Sequence, residues 1–188
     1  MSDSLILWGK PYTIPGYLPS ALSLTRILLM PVYLSLLRSA SPLALPLYLA
    51  ACATDLLDGK AARLLGSSSA DGAALDASAD FLLLAAGFTH YASTGLVSPL
   101  LLGLMTLSFT QYMYTMGLPV VDTLGKHVGT VLYALLGALT LAPSTQAGAA
   151  ASAIGAAYTA ASLIHRLRLV QKYHESKSRN GHQPPPSK

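Results

Sequence analysis

The sequence predicts an all-α integral membrane protein with six transmembrane helices, an N-terminal interfacial segment and a disordered C-terminal tail. Three observations carry that expectation. Apolar residues fill 52% of the 188 positions and charged residues only 11%, whereas a soluble domain carries about 25% charged residues. The mean hydropathy is +0.48, and the apolar residues gather in runs of roughly twenty, the length that crosses a bilayer as helix. A membrane barrel would instead show short alternating segments. The length suggests one domain, residues 1–170, followed by a tail over 171–188.

The first residues, "SLILWGKPY", are too short to span. With Trp8, Tyr12 and Tyr17 they read as an interfacial segment. The first span is expected over 17–37 and contains Arg26 and Pro31, the proline being a source of a kink. The second covers 42–65, with its last third polar. The third covers 71–91, the fourth 99–116, the fifth 126–141 and the sixth 147–170. Short turn-rich stretches such as "SASP", "STGLVSP" and "APSTQAG" separate them. Gly148, Ser152, Gly155 and Ala156 give the sixth span a small-residue face suited to close helix packing, within or between subunits. The remainder, "QKYHESKSRNGHQPPPSK", is polar and proline-bearing and reads as disordered. The single cysteine, Cys52, excludes an intrachain disulfide and a multi-cysteine metal site.

Six spans put both termini on one side of the membrane. That side would hold all but one of the twelve lysines and arginines, Arg38 being the exception. The positive-inside rule makes it the cytoplasmic side, and a bacterial or archaeal cytoplasmic membrane is expected. The net charge of +4 then reports topology and attraction to anionic membrane lipids, with no nucleic-acid partner implied.

The acids are concentrated. "DLLDGKAARLLGSSSADGAALDASAD", residues 55–80, holds five of the eight acidic residues, between two apolar runs. Read as the end of the second helix, Asp55, Asp58, Gly59, Ala62 and Arg63 share one face. Read as the start of the third, Gly72, Asp76 and Asp80 recur every four residues on one stripe. A turn near residues 66–70 makes the two helices antiparallel neighbours whose polar stripes can face each other. Membrane aspartates cost about 2.5–3.5 kcal/mol each near a helix centre. One arginine is too little compensation for four of them, and the hard cations Mg²⁺ or Mn²⁺ suit carboxylate oxygens. Gly59, Gly72 and Ala62 keep the surface low for a flat ligand, and Arg63 offers a planar fork to phosphate. Together these features describe a nucleotide diphosphate pocket at the membrane surface. Each has a plainer alternative: a structural hydrogen bond for a single acid, packing for a glycine, an interfacial anchor for Arg63, and a helix cap for Asp71.

The same stretch resembles the signature D-x-x-D-G-x-x-A-R-x8-G-x-x-x-D-x-x-x-D of the CDP-alcohol phosphotransferases, with Asp55, Asp58, Gly59, Ala62, Arg63, Gly72, Asp76 and Asp80 at the fixed positions. The resemblance implies transfer of a phosphatidyl (substituted phosphate) group from a CDP-alcohol, usually CDP-diacylglycerol, to the hydroxyl of an alcohol acceptor, with release of CMP, in phospholipid biosynthesis. By that likeness Asp55, Asp58 and Asp76 bind metal, while Asp80 is the general base and touches a second of two ions. Gly59, Ala62, Arg63 and Gly72, with Asp55 and Asp58, line the CDP site, and the protein is a homodimer.

Flanking segments are similar to phosphatidylglycerophosphate-synthase-like members. "PSALSLTRILLMP" matches their N-x-L-T-x-x-R-x4-P stretch at Arg26 and Pro31, and "DTLGKHVGT" their Gly-Lys segment at Lys126. Arg26 and Lys126 are thus candidate acceptor-binding residues, with membrane anchoring as the alternative for each. Where such members read "LDPxADK", this chain reads "LDASADF". Ala77 replaces the proline and Phe81 the lysine, which puts glycerol-3-phosphate in doubt as acceptor. Two other classes compete. A membrane prenyltransferase also places aspartates and Mg²⁺ on a diphosphate, but usually with two motifs and more spans. A carboxylate-lined ion transporter would spread its acids through the depth of the membrane.

Overall fold

The computed structural model describes residues 6–7, 10–11, 18–64 and 70–180, with side chains described over 25–54 and 72–178. Among the described residues six helices follow a minimal antiparallel ladder, β1 (Ile6–Leu7) with β2 (Lys10–Pro11), in the segment expected at the interface. The helices are α1 (Leu18–Arg38), α2 (Ala44–Leu64), α3 (Ala70–Ser93), α4 (Pro99–Thr115), α5 (Gly125–Leu141) and α6 (Thr145–Asn180). Their bounds lie close to the expected spans, with one exception.

The exception is α6, which runs on to Asn180, so the segment expected to be disordered from residue 171 begins as helix. The reason is local. From His165 to Asn180 the chain has neither glycine nor proline, and three arginines, two leucines, two lysines, one glutamine and one glutamate make up nine of its sixteen residues, all good helix formers. Asn180 stands directly before Gly181, a stop signal. Residues 181–188 lie outside the described ones.

Two described segments are long and apolar enough to cross a membrane, Gly72–Ser93 and Thr145–Ser178, and Ala44–Thr54 is a shorter apolar helix. At 17 residues each, α4 and α5 rise about 26 Å, slightly less than the ~30 Å hydrocarbon layer.

The chain divides within α3 into two compact units, Met1–Leu83 and Leu84–Lys188. In the first, α1 packs on α2 and continues through Pro31. Tyr33 and Tyr48, both buried, meet with ring centroids 5.7 Å apart. The α1 end closes by paired bonds, Ser41 N–H to Leu36 O and Ala40 N–H to Leu37 O, with Ala40 in the left-handed region at φ 50°. That arrangement usually places glycine there. In the second unit the α3 end closes the same way around Gly95 at φ 77°.

In the second unit α6 packs on both α4 and α5. Its small residues are used within the chain. A Cβ on Gly148 would run into the Leu96 carbonyl oxygen, and one on Gly155 would lie 3.0 Å from Leu101 Cδ1. Ser152 Oγ accepts from Ser98 N–H at 2.9 Å, tying the start of α4 to α6. Leu101, against Gly155, is fully buried, as are Leu136, against Gly87 of α3, and Leu139.

Polar contacts hold the other end of this unit. Asp122 Oδ1 accepts from Gly125 N–H at 2.8 Å and lies 3.2 Å from His165 Nδ1. Arg166 donates from Nη1 to Asp122 Oδ2 at 3.2 Å and from Nε to Thr115 Oγ1 at 2.6 Å. The Arg166 guanidinium also lies 5.1 Å from the centre of the Tyr112 ring, within cation–π range. Burial pushes the Asp122 carboxyl up. The Gly125 amide, the His165 and Arg166 bonds and the Arg166 charge outweigh it and hold the group below the ordinary carboxylate value.

Two outcomes follow for the protein in detergent. Gly148→Ala should lose about 1–3 kcal/mol of stability through overpacking, read as a lower Tm, because a backbone carbonyl cannot rotate away as a side chain does. For Asp122 the folded form favours the ionised carboxylate. Its stabilisation is therefore complete above the ordinary value of 3.8 and is lost as pH falls through the lower folded value. Asp122→Asn should lower Tm at neutral pH and flatten the acid-side fall in Tm; an unchanged acid-side slope would remove Asp122 as its source.

Candidate functional site

The site is built first from α3. Asp76 and Asp80 stand one helical turn apart, so their carboxylates project from one face. Their neighbours are small: Ala79 is buried and Ala77 half-buried. Ser78 turns its hydroxyl back to Ala74 O at 2.7 Å, which keeps it off the acids.

Arg26 of α1 reaches this face. Its Nη1 donates to Asp80 Oδ1 and its Nη2 to Asp76 Oδ1, so each terminal nitrogen takes one carboxylate. The arginine side chain is 0% exposed, while Asp76 and Asp80 retain 44% and 26%. A guanidinium out of water is tolerated when well-placed carboxylates satisfy it. Here two do so, one on each terminal nitrogen. Both acids are only partly covered. The structure thus unites Asp76, Asp80 and Arg26, the last of these a candidate acceptor-binding residue by sequence.

Asp55, Asp58, Gly59, Ala62 and Arg63 fall on the helical backbone of α2, so their spacing puts them along one face of that helix. Their side chains lie outside the described residues, and so does the turn over 65–69. Gly72 is half-buried in the first turn of α3. Among the described residues no three His, Cys, Asp or Glu side chains converge on a metal position; Asp76 and Asp80 are a pair.

Lys126 is exposed in the first turn of α5, in the second unit. The glycine before it has a reason to be there: a Cβ on Gly125 would collide with the Asp122 carboxylate. The Gly-Lys segment is therefore held by a side chain that sequence reasoning passed over. Thr115, His165 and Arg166 were missed with it. An acid three residues ahead of a helical amide is a capping signal, and "DTLG" carries one. The Arg166 contacts depend on tertiary structure and leave no such trace.

A family model, CDP-alcohol phosphatidyltransferase, matches residues 16–167. No curated protein is similar enough to match. The matched stretch contains α1 to α5 in full and α6 as far as residue 167, and it includes both carboxylates that Arg26 joins. The chain therefore belongs to the CDP-alcohol phosphatidyltransferase family, a family of membrane-embedded transferases that use CDP-alcohols and alcohol acceptors in phospholipid synthesis.

Proposed function

We propose that the chain transfers a phosphatidyl group from CDP-diacylglycerol to an alcohol in a metal-dependent reaction at the cytoplasmic face of a six-span homodimer. The observation that carries this reading is the pair Asp76–Asp80, which grips one buried cationic group with both carboxylates. That cation is a stand-in from the protein itself, and an oxygen donor set that accepts it suits Mg²⁺ or Mn²⁺. Asp55, Asp58, Asp76 and Asp80 would hold two such ions, which when bound supply charge neutralisation for the diphosphate and for the departing CMP.

The residues of the chain do the rest. Gly59, Ala62 and Gly72 leave room for the cytidine and diphosphate beside the helix backbones. Arg63 pairs with a phosphate oxygen through its fork. Asp80 takes the proton of the acceptor hydroxyl as its oxygen forms a bond to the lipid-side phosphorus. The bond from that phosphorus to the CMP oxygen breaks, and CMP leaves. Lys126 is proposed for the acceptor on the likeness of its Gly-Lys segment alone. Phe81 in place of the lysine, one residue after Asp80, removes a positive charge that an acceptor phosphate would use.

The test is CMP release by the purified protein with CDP-diacylglycerol, Mg²⁺ or Mn²⁺, and a panel of alcohols with and without phosphate. Asp80→Asn should abolish turnover and leave CDP-lipid binding largely intact; full turnover would remove Asp80 as the base. Asp58→Ala should weaken metal-dependent CDP binding, measured by calorimetry, and unchanged affinity would contradict its role as a ligand.

A further inference from the structure

The Arg26 geometry bears on how the acids take up metal. Nη1 and Nη2 engage Oδ1 of Asp80 and Oδ1 of Asp76, the two oxygens that converge between the helices. A divalent ion bridging the same carboxylates would meet a full positive charge at the same atoms. At such separations in a partly desolvated place, two cations repel strongly. Arg26 has no exposure, so it does not stand in water as an idle anchor. The planar fork is also specific to arginine. A lysine is a single point of charge and would not span two carboxylates a turn apart in the same way.

We infer that Arg26 is a resident counter-ion of the Asp76–Asp80 pair, a positioning residue that holds the two carboxylates at one spacing before metal arrives and gives up at least one of their Oδ1 atoms when a metal takes that oxygen. This rests on the reading of Asp76 and Asp80 as metal ligands. Arg26 thereby sets metal affinity: the work of breaking its contacts is subtracted from the intrinsic affinity of the acids.

The test is Mn²⁺ binding to the detergent-solubilised protein, followed by calorimetry and by the spin-resonance signal of the free ion, with no substrate present. Arg26→Gln should bind Mn²⁺ about tenfold more tightly than the wild type, the order expected when charge-assisted bonds no longer have to be broken. The same variant should lose metal-free thermal stability and regain more of it on Mn²⁺ addition than the wild type does. Arg26→Lys, which keeps the charge and favours folding, should fall between the two in affinity. If the glutamine variant does not fold, tightening in the lysine variant supports the inference and its absence overturns it. A purely structural arginine would give weaker or unchanged Mn²⁺ binding in both variants, and that result overturns the inference. Asp76→Asn with Asp80→Asn separates the two levels. Loss of Mn²⁺ binding there, with unchanged binding in the Arg26 variants, leaves the ligand reading standing and removes the counter-ion role. Undiminished binding in that double variant, or no Mn²⁺ uptake by the wild type, overturns both.

Discussion

A guanidinium with no exposure to solvent can persist only where oxygen atoms replace the water it has lost, and Asp76 and Asp80 provide them for Arg26. That exchange ties the middle of α1 to the first half of α3. It also orders the acids, because Nη1 and Nη2 each fix one carboxylate, and the fork sets their separation. Two features that would suit the proposed divalent ion lie in the same arrangement: hard oxygen donors and a shared direction. Stability of this part and the chemistry proposed for it therefore draw on the same three side chains.

The second unit is held by a different principle. At one end, α6 approaches its neighbours through absent side chains, with Gly148 against the Leu96 carbonyl and Gly155 against Leu101. Close approach lets Ser152 reach the Ser98 amide, so a backbone group at the head of α4 is satisfied by a neighbouring helix. At the other end charge replaces smallness, and Asp122 collects an amide, an imidazole and a guanidinium. Small residues pack where the environment is apolar, and ion pairs serve where the chain turns.

Much of this could be read from the sequence, for reasons that differ by element. Helix positions followed from apolar runs bounded by "SASP", "STGLVSP" and "APSTQAG", because turns in such a chain need serine, glycine and proline. The end of α6 did not, because polarity was taken for disorder where helix propensity persists to Asn180. The i, i+4 spacing of Asp76 and Asp80 made a shared face predictable. Their partner was not, since Arg26 lies about fifty positions earlier and no local pattern distinguishes an arginine aimed at carboxylates from one aimed at headgroups. The same holds for Arg166, whose partners Thr115 and Asp122 lie on the far side of α5 in sequence.

That last side chain has a consequence for how the molecule can change. Surface connections between helices commonly accept extra residues at little thermodynamic cost. The link from α4 to α5 is different, because one guanidinium holds it at both extremities, at Thr115 and at Asp122. Its span is thereby gauged against a fixed point on α6. A residue added or removed between those two anchors would force the clasp open or leave slack in it, and the basic residue that opens α5 would move with it.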